Sequence, residues 1–274
     1  MNADSTSMRS NGKKNRRDTA LVTGGSGGIG LELAKELGRN GHDVVLVARK
    51  RDSLEAAAGH IEGKYGVKAS VFAADLADPV SPPRIHEAML DQGIEVGILI
   101  NNAGFGVGGP FIETDNDREM EMIHVNITAV MHLTKLFLPG MVKRRRGRVM
   151  NVASTAAFQP GPLMAVYYAS KAFVLSFSEA IADELRNTGV SVTALCPGPT
   201  ETGFAAEANV GRSKLFRYSP IADPEDVARY GYKAMMKGER VAIPALRDKL
   251  MVQAERLTPR RLVTVISRKL QESK

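Results

Sequence analysis

The stretch AVYYASKAF, residues 165–173, places two phenols within one helical turn of a lysine. On an α-helix Tyr167 and Lys171 are i,i+4 neighbours, while Tyr168 and Lys171 are i,i+3 neighbours, so either phenol could lie beside the ammonium. A tyrosine hydroxyl can give a proton to a carbonyl oxygen during reduction, and a neighbouring ammonium favours the phenolate and lowers the tyrosine pKa. The spacing indicates a proton-transfer site but does not choose between the tyrosines.

The two helical faces that begin at these tyrosines differ further along the predicted helix 165–187. The face from Tyr167 passes through Lys171 and ends apolar at Leu185, whereas the face from Tyr168 ends charged at Arg186. We therefore predict that Tyr167 points inward as the proton donor. Tyr168 is predicted to be packing or the edge of a pocket.

A glycine-rich loop, TGGSGGIG at 23–30, follows the first apolar run and opens a helical pattern. Glycines permit a tight turn and let the main chain approach a pyrophosphate, towards which the helix-terminal N–H groups point. Residues 25–30 satisfy the literal G-x-G-x-x-G pattern in the strand–turn–helix context that the motif requires. The loop therefore predicts a dinucleotide site.

The residues that follow the second apolar run indicate which dinucleotide the predicted site binds. Arg49, Lys50 and Arg51 stand where an NAD-specific site usually has an acidic residue for the ribose 2′-hydroxyl. Arginine suits a 2′-phosphate, so we predict NADP(H), with Arg49 as the main contact. NAD(H) stays an alternative because Gly27 occupies the place of a second basic residue in the loop.

Short apolar runs alternate with helical patterns from Thr19 to Pro244. Several runs are continuously apolar, such as VVLVA at 44–48, which is typical of strands covered on both faces. Strands separated by helices imply right-handed crossovers and one parallel sheet. The sequence predicts a single-domain α/β fold, doubly wound with helices on both faces, over residues 18–246. Within it, 116–142 is predicted as one long helix and 199–223 as a flap over the site.

Several motifs occur in the order found in the classical short-chain dehydrogenases/reductases (SDR), which the chain resembles over about residues 19–245. They are TGGSGGIG at 23–30, AADL at 73–76, NNAG at 101–104, Asn126, Ser154, YYASK at 167–171 and CPGPTET at 196–202. The resemblance implies a Rossmann-type sheet and an oxidoreductase acting on CH–OH groups. Its loop pattern, T-G-x-x-x-G-x-G, selects Gly24, Gly28 and Gly30.

The resemblance also assigns roles. Tyr167 would be the general acid/base, Lys171 would assist it, Ser154 would hold the substrate oxygen, and Asn126 would help water connect Lys171 with solvent. The residues expected to bind the cofactor are Gly24, Ser26, Gly28, Ile29, Gly30, Arg49, Lys50, Asp75, Leu76, Asn102, Ala103, Gly104, Tyr167, Lys171, Pro197, Gly198, Thr200 and Thr202. No metal site is predicted, since the five histidines lack paired ligand spacing.

The net charge of +7 belongs to the two ends of the chain. Residues 1–17, predicted to be a disordered arm, carry +4, and residues 247–274 carry +5, which leaves −2 for residues 18–246. An extended nucleic-acid surface on the main domain is therefore not expected. The basic cluster at 143–148 is interpreted as a solvated cap at the C-terminal end of a helix.

The predicted partners and location follow from apolar surfaces. The helix 165–187 is apolar around much of its first half, which suggests a homodimer or homotetramer. Residues 247–274 are predicted to be a basic amphipathic extension, in which Leu262, Val265, Ile266 and Leu270 form one face. That face could dock on the protein itself, on a second subunit, or peripherally on a membrane. The chain is otherwise expected to be cytoplasmic, with its single Cys196 in a reducing compartment.

The predicted substrate is a lipophilic ketone or secondary alcohol, because apolar residues separate Ser154 from Tyr167. Those residues are Phe158, Pro160, Pro162, Leu163 and Met164, and the flap adds Phe204. Two other classes of function remain open. A catalytically silent dinucleotide-binding protein would bind cofactor without turnover, and an epimerase or dehydratase would show no net consumption of NADPH.

Overall fold

The computed structural model describes residues 18–211 and 213–272, so the predicted arm at 1–17 lies outside the described residues. The strands within this part are β1 Thr19–Thr23, β2 Val44–Ala48, β3 Ala69–Ala73, β4 Val96–Asn101, β5 Gly147–Val152, β6 Val190–Leu195 and β7 Val241–Ala242. The helices are α1 Gly28–Arg39, α2 Arg51–Tyr65, α3 Ser81–Asp91, α4 Asn116–Ile123, α5 Ala129–Lys143, α6 Ala165–Glu184, α7 Phe204–Glu207, α8 Lys214–Tyr218, α9 Pro224–Lys237, α10 Leu246–Leu257 and α11 Arg260–Gln271.

The seven strands form one sheet in the order β3-β2-β1-β4-β5-β6-β7. Each neighbouring pair is parallel, and α1, α2 and α9 cover one face while α3 and α5 cover the other. The predicted doubly wound α/β fold is confirmed. Alternate residues of β1 point to opposite layers, with Ala20 and Val22 in one core cluster and Leu21 in the other. All three side chains are buried, which explains why the apolar run is continuous.

The strand order reverses at β1, which pairs with β2 on one side and with β4 on the other. At this reversal the loops that leave the two strands diverge and open a crevice at their carboxyl ends, which is where ligands bind in open α/β sheets. Side chains tie the two strand ends together. The Thr23 hydroxyl accepts hydrogen bonds from the backbone N–H groups of Asn102 and Ala103, at 3.0 and 3.1 Å.

The helix predicted over 116–142 is observed as α4 and α5 joined by a π-helical turn, His124–Thr128. A π-turn inside a helix often marks a functional site, and this one contains Asn126. By length and composition, the continuous stretch Asn116–Lys143 could cross a membrane. Its buried residues, which include Val125, Leu133 and Phe137, pack in the core between helix and sheet, and this packing explains their apolar character.

The cluster at 143–148 lies at the end of α5, as predicted. Arg144 donates to the carbonyl of Val96 at 3.0 Å, and Arg146 pairs with Asp18 at 3.1 Å. These arginines are therefore partly committed to the protein's own surface. The cluster is therefore not only solvated, because Arg144 and Arg146 also pair with Glu95 and Asp18.

The segment predicted as a basic amphipathic helical extension is helical in the structure. It forms two helices, α10 and α11, and the residues that α11 buries are Val263, Ser267 and Gln271. The predicted face of Leu262, Val265, Ile266 and Leu270 is 37–51% exposed. Most of that face is therefore not docked on the chain's own surface, because α11 turns the stripe of Val263, Ser267 and Gln271 towards the protein.

Candidate active site

The glycine loop has the close packing that a dinucleotide cradle requires. Gly24 and Gly28 have positive φ values of 66° and 52°, which side chains rarely adopt. A Cβ on Gly30 would lie 2.3 Å from both the Gly24 carbonyl oxygen and Asn102 Nδ2. Gly27, by contrast, has no atom within 4 Å of a Cβ position. The frame Gly24, Gly28 and Gly30 is thus the one on which this loop depends sterically.

The cavity at the carboxyl edge of the sheet has a volume of about 820 Å³ and brings most of the predicted residues together. Gly30 and Asn126 lie beneath its surface rather than in its lining. The predicted residues that line it are Gly24, Ser26, Gly28, Ile29, Arg49, Lys50, Asp75, Leu76, Asn102, Ala103, Gly104, Ser154, Tyr167, Lys171, Pro197, Gly198, Thr200 and Thr202.

The basic residues after β2 divide into two kinds. Arg49 and Lys50 are exposed and line the cavity beside the end of β3, where Asp75 and Leu76 lie. Arg51 begins α2 and pairs with Glu55 at 3.5 Å. Two cations are therefore available to a ligand phosphate at this end of the cavity, and the third belongs to the helix.

The predicted proton-transfer residues meet where β5 ends. Ser154 caps the short 3₁₀ helix Thr155–Phe158 by accepting a hydrogen bond from Ala156 N at 3.1 Å, and its side chain interacts with the Tyr167 hydroxyl. Lys171 Nζ donates to the carbonyl oxygen of Val152 at 2.9 Å and lies 5.9 Å from the centre of the Tyr167 ring. The three side chains can thus act on one carbonyl group.

Burial sets the electrostatics of this group. It raises the pKa of Tyr167, an effect that the interaction with Ser154 opposes, and it lowers the pKa of Lys171 to about 8. The protein by itself therefore does not lower the pKa of Tyr167, which is the opposite of the effect expected from the neighbouring ammonium. Desolvation is the largest cause of the raised pKa, because the phenolate would be buried away from water.

Asn126 holds the surroundings of the lysine in place. Its amide donates to the Phe105 carbonyl and to Ser170 Oγ, both at 3.0 Å, and accepts from Phe105 N at 3.1 Å. A Cβ on Gly104 would meet Asn126 Oδ1 and Lys171 Nζ at 3.0 and 3.3 Å. These contacts make Asn126 a positioning residue, and its predicted part in a water connection stays a prediction.

Tyr167 and Tyr168 are distinguished by the residues that they contact rather than by how deeply they are buried. Tyr167 is 9% exposed and Tyr168 is 5% exposed, so both are buried and the helical-face argument does not separate them. The reason is that α11 covers Tyr168, whose hydroxyl accepts a hydrogen bond from Gln271 at 2.5 Å. Tyr167 is the tyrosine that faces Ser154 and Lys171.

Apolar side chains line the part of the cavity beyond Tyr167. Phe204 lies with its ring centre 5.0 Å from that of Tyr167, and Met164 is also in the lining, as predicted. Phe158, Pro160, Pro162 and Leu163 do not line the cavity; Phe158, for example, packs against a separate core cluster. Their places are taken by side chains from the flap and the C-terminal helices, namely Leu215, Phe216, Met251 and Leu270.

Sequence reasoning also missed the polar lining. Arg118 lies over the Phe105 ring and pairs with Glu121 on α4 and with Glu207 on the flap helix α7. Ser267 and Gln271 come from α11. No motif marks these residues. For Ser267 and Gln271, the only available signal was that both are polar and lie on the helix face opposite to Leu262 and Ile266.

Comparison with known proteins agrees with this site. The chain matches the sequence profile described as short chain dehydrogenase over residues 18–213. It is 38% identical over 175 residues to a very-long-chain 3-oxoacyl-CoA reductase of Coprinopsis cinerea, a match covering 63% of this chain and 52% of that protein. The human protein of the same description is 37% identical over 182 residues, with coverages of 65% and 58%. The chain thus matches little more than half the length of these relatives.

Two solved structures are similar over nearly the whole fold. A short-chain dehydrogenase from Sphingobium yanoikuyae in complex with NADPH is 30% identical, with a TM-score of 0.79, covering 88% of this chain and 94% of that one. A 7β-hydroxysteroid dehydrogenase is 25% identical, with a TM-score of 0.83 and coverages of 93% and 98%.

Replacing Lys171 by Met should stabilise the protein at pH 7 and lose its stabilising effect as the pH rises. The buried lysine releases its proton at about pH 8, against 10.5 for the unfolded chain. The unfolded state therefore binds more protons between these values, so wild-type stability rises across that window. The difference of 2.5 units corresponds to about 3 kcal/mol at pH 7.

Urea denaturation at pH 7 and at about pH 10 measures this difference, with the exposed Lys135→Met on α5 as the matched control. Lys171→Met should be the more stable protein at pH 7 and nearly equal to wild type at the higher pH. Equal stability at both values would mean that the ammonium is not desolvated.

Proposed function

The chain belongs to the short-chain dehydrogenase family of oxidoreductases, and from this premise we propose that it transfers a hydride between NADP(H) and a lipophilic ketone or secondary alcohol. The observation that carries the proposal is the meeting of Ser154, Tyr167 and Lys171 in the cavity that the glycine loop also lines. Bound NADPH supplies the hydride for reduction, and its oxidised form accepts one in the reverse direction.

In this proposal each residue has one task. Ser154 donates a hydrogen bond to the substrate oxygen, and Tyr167 gives its hydroxyl proton to that oxygen during reduction. Lys171 stabilises the resulting phenolate with its charge. The raised pKa of Tyr167 suits the reductive direction, because the hydroxyl stays protonated at neutral pH. Oxidation requires the phenolate and is correspondingly harder for the protein alone.

The preference for NADP(H) rests on Arg49, with Lys50 beside it. An arginine can bind a phosphate with two parallel hydrogen bonds, whereas it offers little to an unmodified ribose hydroxyl. The open space at Gly27 lies in the same loop and carries no cation. Arg49 is therefore the main source of discrimination.

The apolar wall beyond Tyr167 supports a lipophilic substrate. Phe204, Phe216 and Met251 come from three different elements and line one continuous cavity, whose volume of about 820 Å³ suits a long or bulky molecule together with the cofactor. The relatives described as very-long-chain 3-oxoacyl-CoA reductases make a long-chain 3-oxoacyl thioester one member of the class we propose.

We further propose that the enzyme is a cytoplasmic homodimer or homotetramer that contacts membranes peripherally. Met131 on α5 and Phe173 on α6 are 41% and 38% exposed, which suits a subunit interface. On α11, exposed Val265 and Ile266 lie among exposed arginines such as Arg268, a combination that suits an anionic lipid surface.

Replacing Tyr167 by Phe should lower kcat by at least about a hundredfold, because the proton donor is lost while the ring still fills its site. Oxidation of NADPH and of NADH over a panel of lipophilic ketones measures the effect. Tyr230→Phe, which removes a hydroxyl from α9 away from the cavity, is the matched control and should retain wild-type turnover.

A result in which Tyr168→Phe abolished turnover and Tyr167→Phe did not would reverse the assignment. Cofactor binding without turnover over the whole panel would instead support the silent dinucleotide-binding alternative.

Replacing Arg49 by Gln should reduce the preference for NADPH over NADH about ten- to hundredfold, since a charge-assisted bond to the 2′-phosphate is lost. Gly27→Arg should increase the preference, because the loop has room for a side chain there. The ratio of kcat/KM for the two cofactors measures both effects. An unchanged ratio in Arg49→Gln would assign the discrimination to another residue, and Arg51→Gln is the control.

The double variant Val265→Glu, Ile266→Glu should abolish co-sedimentation with vesicles that contain phosphatidylserine. The two new charges oppose both the insertion of the helix and its attraction to anionic lipid. Val265→Ala, Ile266→Ala is a milder control that keeps the charge. If wild type sediments no better than the glutamate variant, the membrane proposal fails. Light scattering of the same samples gives the oligomeric mass.

A further inference from the structure

The last helix of the described chain, α11, turns towards the protein a face that contains the polar residues Ser267 and Gln271. Its buried positions, Val263, Ser267 and Gln271, follow one another at intervals of four residues, while Leu262 and Ile266 face outward. A helix that docked only to bury apolar area would be rotated the other way. Something other than apolar packing must therefore account for Ser267 and Gln271 at the inner surface.

The inward stripe of α11 ends inside the cavity, close to the proposed proton donor. Gln271 Nε2 donates to the Tyr168 hydroxyl at 2.5 Å, and the Tyr168 ring centre lies 6.0 Å from that of Tyr167. Tyr168, Ser267 and Gln271 all line the cavity. A polar cluster thus lies beside the apolar side chains of the cavity, next to Tyr167 in the sequence.

This cluster retains unused hydrogen-bonding capacity. Gln271 is 6% exposed, and its Oε1 atom has no hydrogen-bond partner among the described residues. Whichever amide atom faces Tyr168, the other is left unpaired. A buried polar atom without a partner is unfavourable, and a leucine at the same position would avoid this cost. A ligand that supplied the missing partner would recover this free energy on binding.

The end of α11 is also held in position. Lys214, which begins the flap helix α8, donates its backbone N–H to the carbonyl oxygen of Glu272 at 3.2 Å, and its ammonium pairs with the Glu272 carboxylate at 3.4 Å. The residue after Gln271 is therefore tied to the flap helix α8, which packs beside α11. The Gln271 amide thus lies next to an anchored position rather than on a free end.

We propose that Tyr168, Ser267 and Gln271 form a polar subsite that hydrogen-bonds a second oxygen function of the substrate. The preferred substrate is then a lipophilic carbonyl compound that carries another carbonyl or hydroxyl oxygen near the reacting carbon. The subsite rests on the proposed function, since it selects among the ketones that Tyr167 reduces. Gln271 is its specificity-determining residue.

The test compares two substrates in the full-length protein. One is a long-chain 3-oxoester, and the other is the ketone of equal chain length without the ester. Gln271→Leu should lower kcat/KM for the oxoester about three- to tenfold, mainly through KM, because one neutral hydrogen bond is lost. It should leave the value for the simple ketone unchanged or raised. For each substrate, the kcat/KM of the variant is divided by that of wild type, so that the different intrinsic reactivities of the two substrates cancel.

Gln253→Leu on the exposed face of α10 is the matched control and should change neither value. Ser267→Ala is a second, smaller change that should shift the selectivity in the same direction. The thermal midpoint and NADPH affinity of each variant show whether it folds.

Equal losses for both substrates in Gln271→Leu would make the residue structural and overturn the subsite. Unchanged selectivity in both variants would overturn it as well. A wild-type protein that oxidises neither NADPH nor NADH with either ketone would overturn the proposed function itself, whereas reduction of both ketones with unaltered variant selectivity would overturn the subsite alone.

Discussion

The active site depends on keeping one ammonium group out of water without a carboxylate beside it. Lys171 is 6% exposed, and its one hydrogen bond among the described side chains and backbone goes to the carbonyl oxygen of Val152. This arrangement works because α6 packs directly against the end of β5, so a strand carbonyl meets the lysine. The position of Tyr167, four residues earlier on the same helix, then follows from the helix alone. The protein tolerates a costly buried charge where the charge can act on a phenol.

Two parts of the chain build the cavity in different ways. Residues up to about 213 match the family profile, and they supply the glycine loop, Tyr167 and Lys171. The apolar wall beyond Tyr167 draws on both parts, because Met164 and Phe204 lie within the matched region whereas Phe216, Met251 and Leu270 lie beyond it. The segment beyond the profile therefore shapes the cavity without supplying Ser154, Tyr167 or Lys171.

The fold and the reacting groups could be predicted from the sequence because their signals are local. The glycine loop, the continuous apolar strands and the Tyr167–Lys171 spacing each occupy fewer than ten residues. The pocket wall could not be predicted in this way. The helical-face argument did not anticipate that a helix about a hundred residues later covers Tyr168. Of the apolar residues before Tyr167, Met164 lines the cavity whereas Phe158 packs in a separate core cluster. The orientation of α11 is decided by what its inner face meets, which no periodicity reports.

The bond between Tyr168 and Gln271 joins residues 103 positions apart, whereas the dinucleotide cradle is built from contacts within residues 23–104. Both contacts are non-local, because the bond from Asn102 N to Thr23 Oγ1 already spans 79 residues, and the two loops therefore cost similar chain entropy. They differ in which part of the chain makes them. The glycine loop is thus packed by the first half of the chain, whereas both residues of the Tyr168–Gln271 contact belong to the second half.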